Sequence, residues 1–264
     1  MERLLVLRLE ASGCSAEAVI NGVPLVRVGG AQAVATLPVH EYWLAGNNEL
    51  ELLVHPGPPG AAPAPEPQLS DGQAWASLRL LLPRVGGVAH PASARTVAQI
   101  DWAPPLDEVY EVPATLRRLV DLPIAFPRWR WLDAPLISDA AALKKDAAAY
   151  LLEIALGLAR GNPEPLISAA RLRLEELATA YQRPLADDVA RLRQQVQRLH
   201  ALQPLKPALP SAAKLLLRPV AGGRLLECLN GDGQPLLQSA VAGGGVQHWP
   251  LRIAAVEGRF YVLR

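Results

Sequence analysis

The chain has 264 residues, enough for one large domain or two of ordinary size, each with a real core. Half of them are hydrophobic, yet the apolar runs are short and broken by Arg, Pro or Gly, and none approaches the ~20 residues that span a bilayer. With 26 basic against 25 acidic residues the net charge is +1, which predicts attraction neither to nucleic acid nor to a membrane surface.

The opening stretch Met1–Glu10 is too short and too charged for the apolar core of a signal peptide, so a cytoplasmic location is expected. Cys14 and Cys228 form no CxxC and read as buried packing residues rather than a disulfide. The preference for Arg over Lys, with abundant Ala, Leu and Pro, fits a GC-rich bacterial genome and carries no mechanism.

The first half predicts short antiparallel strands. Arg3–Glu10 and Ala16–Ile20 are separated by a Ser-Gly-Cys-Ser turn signal. Asn21-Gly22 then stands between two β-branched segments, and both residues tolerate positive φ, the strongest short hairpin cue. Gln32–Thr36 alternates as a further strand. Gly46 should supply the next turn and Asn48 a side chain that caps it. Leu50, Leu52 and Val54 should form one buried face beyond it. Those positions, with Pro38 and Tyr42, carry a likeness over about eighteen residues: the segment resembles galactose-binding-like jelly-roll domains. The resemblance implies a sandwich scaffold and no particular ligand.

His55–Gln73 is Pro/Gly/Ala-rich and predicts an extended, solvated loop. Strands resume at Trp75–Leu82, Arg95–Trp102 and Val109–Val120, with a Gly86-Gly87 turn between the first two. The segment 123–137 follows as a connector. Its three prolines in Asp121–Pro135 deny regular structure, while Phe126, Trp129 and Trp131 demand cover from water. Interdomain packing is the favoured role; the functional alternative makes Trp129, Arg130, Trp131 and Asp133 a stacking platform for a sugar or peptide.

Residues 138–264 predict a helical block followed by a meander. Ser138 or Asp139 caps the first helix, whose stripe is Leu143, Ala147, Tyr150, Leu151, Ile154 and Leu158, closed by Gly161-Asn162. Asn162-Pro163 opens a second helix with the stripe Leu166, Ala170, Leu174, Leu177 and Tyr181. A third carries Asp187 and Asp188 early and Arg191, Arg193, Arg198 and His200 late, matching the helix dipole. The arginines, Arg171 and Arg173 included, alternate with Glu175, Glu176, Asp187 and Asp188, which predicts a solvated, salt-bridged face rather than a nucleic-acid stripe.

The tail changes to period two. Lys214–Arg218, Arg224–Leu229, Pro235–Val241, Leu251–Val256 and Phe260–Leu263 read as strands separated by Gly-rich turns. Helices followed by a meander ending in Gly258-Arg259-Phe260-Tyr261-Val262 resemble the nuclear-transport-factor-like cone fold. That likeness implies a sheet wrapped around helices and a pocket that His248, Glu257, Arg259 and Tyr261 would line.

Metal and nucleophile signatures are not found. His40-Glu41 lacks the second histidine of HExxH, no Cys or His pair has zinc spacing, and there is neither G-x-S-x-G nor a phosphate loop. Gly243–Gly245 falls between strands and reads as a hairpin loop. The fold expectation is therefore α+β: an N-terminal antiparallel β-sandwich over 1–122, the connector 123–137, and a three-helix block packed on an antiparallel sheet over 138–264. The functional expectation is a non-enzymatic binding or assembly module with no cofactor, no metal, no nucleic acid and no membrane. Its protein partner or small ligand is unidentified. The alternatives are an enzyme or carrier using a C-terminal pocket, and a carbohydrate-binding sandwich.

Overall fold

A computed structural model describes residues 4–56, 68–84, 87–123 and 125–264. The chain divides into two compact units, Met1–Pro127 and Arg128–Arg264. The class is α+β: an N-terminal antiparallel β-sandwich, then helices packed on a C-terminal antiparallel sheet.

The first unit holds β1 (Val6–Ser12), β2 (Cys14–Ile20), β3 (Val23–Val28), β4 (Val34–Pro38), β5 (Gly46–Pro56), β6 (Gln68–Leu69), β7 (Trp75–Leu82), β8 (Arg95–Trp102), β9 (Val109–Tyr110) and β10 (Ala114–Leu122). Two four-stranded sheets, ordered β4-β1-β7-β8 and β10-β5-β2-β3, form the sandwich. Alternation explains its filling. Leu7 and Leu9 sit opposite Leu80 and Leu78 in one sheet, Ala18 and Ile20 opposite Leu52 and Leu50 in the other, and all eight are fully buried. The intervening Arg8, Glu10 and Arg79 form an ion-paired row, with Glu10 held 2.7 Å from Arg8 and 3.1 Å from Arg79.

The Asn21-Gly22 turn has φ of 51° and 73°, both left-handed, as the hairpin cue requires. Asn48 caps its own turn as expected and then does more. Its Oδ1 accepts from Leu44 N–H at 2.7 Å and from Asn21 Nδ2 at 2.8 Å. Its Nδ2 donates to Leu44 C=O at 2.9 Å and Gly46 C=O at 2.7 Å. All four hydrogen-bonding positions of a 1% exposed amide are thus filled from within the chain.

Two expectations in this unit need amendment. Residues 57–67 of the Pro-rich insertion, and the start of the Gly86-Gly87 turn, lie outside the described residues. At the insertion's described end Gln68–Leu69 pairs with Val109–Tyr110 and buried Ser70 donates to Pro104 C=O at 3.0 Å, while Leu69, Asp71, Gly72 and Gln73 are exposed. Finally, Val109–Val120 is two strands, β9 and β10, because Pro113 has no N–H to continue a ladder.

The second unit begins with a helical turn at Arg130–Asp133, followed by α1 (Lys144–Ala159), α2 (Glu164–Ala169), α3 (Arg171–Ala180) and α4 (Leu185–Leu202). Asp139 accepts from the N–H groups of Ala141 and Ala142 in the turn that leads into α1, and Asn162 caps α2 through Glu164 N–H at 3.1 Å. The expected second helix is two, bent at Ala170, which ends α2 and caps α3 with φ −91° and ψ 8°. The sheet is β11 (Leu216–Val220), β12 (Leu225–Leu229), β15 (Arg252–Val256) and β16 (Arg259–Val262), in that order. Beside it runs a two-stranded ribbon, β13 (Leu237–Ala240) with β14 (Val246–Trp249). His248-Trp249 therefore ends a strand absent from the expected set.

One apolar cluster joins helices to sheet: Leu151, Ile154, Leu158, Leu174 and Val196 pack with Leu217, Leu226, Ile253 and Val262. Cys228 lies in it, and burial pushes its thiol well above the ordinary range. Gly161 closes α1 at φ +67°, and a Cβ there would meet the His200 ring of α4 at 2.7 Å. Among the described residues no helix is long and apolar enough to cross a membrane.

Candidate functional site

The four connector residues are engaged inside the second unit. Trp129 and Trp131 are 1% and 3% exposed, and the Arg264 guanidinium lies over the Trp129 ring at 5.4 Å. Arg130 donates its backbone N–H to Glu176 Oε1 at 2.6 Å and pairs through its guanidinium with Glu175 at 2.8 Å. Glu176 is itself buried and also bonds Arg264, so it is no part of a solvated face. Asp133 is exposed and bonded to Arg128 at 2.6 Å, which holds its carboxyl below the usual carboxylate range.

A second place in this unit has the shape of a site. The side of α2–α3, the side of α4 and the segment 247–251 enclose a cleft of about 280 Å³. Helical spacing puts its walls there. Ala170, Arg173, Leu174 and Leu177 follow i, i+3, i+4, i+7 along α3, and Asp188, Arg191, Leu192 and Gln195 follow the same spacing along α4. The third wall is set by the ribbon, where Trp249 pairs with Leu237 and His248 with Gln238. Pro250 then ends the ladder.

The cleft is apolar within and cationic at its polar positions. Leu166, Leu174, Leu177, Leu192, Trp249 and Leu251 give the hydrocarbon surface. Against one carboxylate, Asp188, stand three guanidiniums, Arg173, Arg183 and Arg191, a formal balance of +2. Asp188 is 5% exposed and bound to Arg183 at 2.7 Å, with Arg191 at 3.4 Å. Arg183 also lies over the Tyr181 ring at 4.7 Å. Arg173, half-buried, makes no ion pair or side-chain hydrogen bond among the described residues.

Two ring nitrogens here are also without partners. His248 Nδ1 and Trp249 Nε1 are buried and form no hydrogen bond among the described residues. Burial holds the His248 imidazole below its ordinary pKa, so at neutral pH it is an uncharged hydrogen-bonding group. Gln195 and Gln247 meet across the cleft at 3.4 Å, and Gln247 donates to His248 C=O at 2.7 Å.

Of the residues assigned to a cone pocket, His248 lines this cleft. Glu257 and Arg259 are exposed on the β15–β16 turn, and Tyr261 is not among the lining residues. The reading of the helical arginines as one solvated, paired face holds for Arg193 with Glu164, Arg171 with Glu175 and exposed Arg191 with Asp188. It misses Arg173, which shares its helix row with leucines. That spacing was the available signal. No family model matches the chain, nor does any curated protein or solved structure.

Proposed function

We propose that the protein is a binding module and that its C-terminal unit holds a small ligand in the α2–α3/α4 cleft. The observation that carries this reading is a cleft with an apolar wall, a few convergent polar groups, and buried ring nitrogens lacking internal partners, the usual composition of a ligand site. Binding is favoured over chemistry because Asp188, the carboxylate of the cleft, is bonded to Arg183 and ion-paired with Arg191.

The test is a thermal-shift screen of the full chain against a small-molecule library, repeated on Leu177→Trp, which fills the cleft. A ligand at a hundred times its Kd adds about 2.7 kcal/mol. For a unit of this size that raises Tm by roughly 5–10 °C. The reading predicts shifts of that order in the native chain and their loss in the filled variant. A screen in which Leu177→Trp leaves every shift intact refutes it.

A further inference from the structure

We infer that the ligand of this cleft is a small amphipathic oxyanion, a carboxylate or phosphate head on an apolar body, with the head on Arg173. The inference rests on the binding reading above and adds the chemistry of the occupant.

The charge balance supplies the first half of the argument. Asp188 is bonded to Arg183 and lies near Arg191, so the uncompensated positive charge falls to Arg173 and to the solvent-facing side of Arg191. A half-buried guanidinium has lost part of its hydration, and an oxyanion restores it in a way that a neutral or cationic ligand does not. The planar fork of Arg matches two oxygens of a carboxylate or phosphate at once. Asp188 also fixes Arg183, which sets one side of the cleft before any ligand arrives.

Hydrocarbon supplies the second half. Leucines from α2, α3 and α4, with Trp249, form a wall that a bare inorganic anion leaves exposed. The volume corresponds to about nine water volumes, so the body is on the order of ten heavy atoms. Buried Trp249 Nε1 gives a reporter in this wall.

Titration calorimetry on the full chain, with ¹⁵N spectra of the Trp249 indole assigned by Trp249→Phe, decides the matter. The probes are octanoate, octyl phosphate, 1-octanol and inorganic phosphate. At least one octyl anion is expected to bind roughly tenfold or more tighter than 1-octanol and than inorganic phosphate, and to shift the Trp249 indole resonance. The tighter of the two sets the head group. Arg173→Met keeps an unbranched apolar stem and removes the charge. It should weaken the octyl anion by roughly tenfold to a hundredfold, the range of a charge-assisted hydrogen bond, and leave 1-octanol unchanged. Arg191→Gln, at a more exposed position, should give a smaller loss and serves if Arg173→Met fails to fold. Octanol binding as tightly as both anions, or anion affinity indifferent to both arginine variants, overturns the oxyanion inference and leaves the binding reading standing. If no octyl probe moves the Trp249 resonance, both fall.

Discussion

Replacing Asn48 by Ala should cost the sandwich about 3 kcal/mol, because the side chain makes four hydrogen bonds at once. Each is worth about 1 kcal/mol net, and more where a buried partner is left unpaired. Leu44 and Asn21 are half-buried, so their stranded groups recover only part of their hydration, whereas exposed Gly46 recovers its own. For a unit of this size the expected fall in Tm is ~8–15 °C, read by calorimetry on the full chain. Asn48→Asp separates charge from geometry. It keeps an acceptor for Leu44 N–H and Asn21 Nδ2, but aims a carboxylate oxygen where Nδ2 donated to two carbonyls. That environment raises the folded-state pKa of the introduced carboxyl above its unfolded value. Its deficit relative to the native chain should then be largest at neutral pH and shrink as pH falls through the raised pKa and an O–H donor returns. A cost below about 1 kcal/mol for Asn48→Ala, or a deficit in Asn48→Asp that does not change between pH 7 and pH 4, would refute the four-bond account.

Three further outcomes follow from the same physics. His40 accepts Leu5 N–H through Nδ1 at 3.0 Å, and burial lowers its pKa. Its contribution should be complete above the unfolded value near ~6.5 and fall as pH drops toward the lower folded value; urea unfolding at pH 7.5 and 5.5 should show a decline that His40→Asn flattens. Gly161→Ala places a methyl at φ +67° against the His200 ring and should cost about 2 kcal/mol, with Gly222→Ala, also left-handed but facing open space, costing less. Glu176→Gln removes the charge facing buried Arg264 and should cost about 3 kcal/mol. A double-mutant cycle with Arg264→Met should return a coupling of at least ~1 kcal/mol, and strict additivity would mean the pair does not interact.

Local chemistry made much of the fold legible. Asn21-Gly22 needs positive φ and has it; Leu50, Leu52 and Val54 alternate and are buried; Asn162 caps the helix its proline opens. What stayed hidden depends on partners distant in sequence. Gln68–Leu69 is too short to carry a period and is a strand because Val109–Tyr110 lies beside it. The need of Trp129 for cover could be read from its type, but not that Arg264, at the other end of the unit, would provide it.

The cleft shows the same division more sharply. Arg173 falls beside Leu174 and four residues before Leu177 whether or not the helix bends at Ala170, so its place in the row facing α4 could be read from spacing, while Arg171, two residues earlier, pairs with Glu175 outside it. On α4 the residues Asp188, Arg191, Leu192 and Gln195 present the matching row. The composition of each row is ordinary: Arg173 among Ala170, Leu174 and Leu177 on one side, Leu192 among Asp188, Arg191 and Gln195 on the other. Two such rows facing each other, with Trp249 across the gap, are what turn a surface pattern into a concave site, and neither helix alone specifies that meeting.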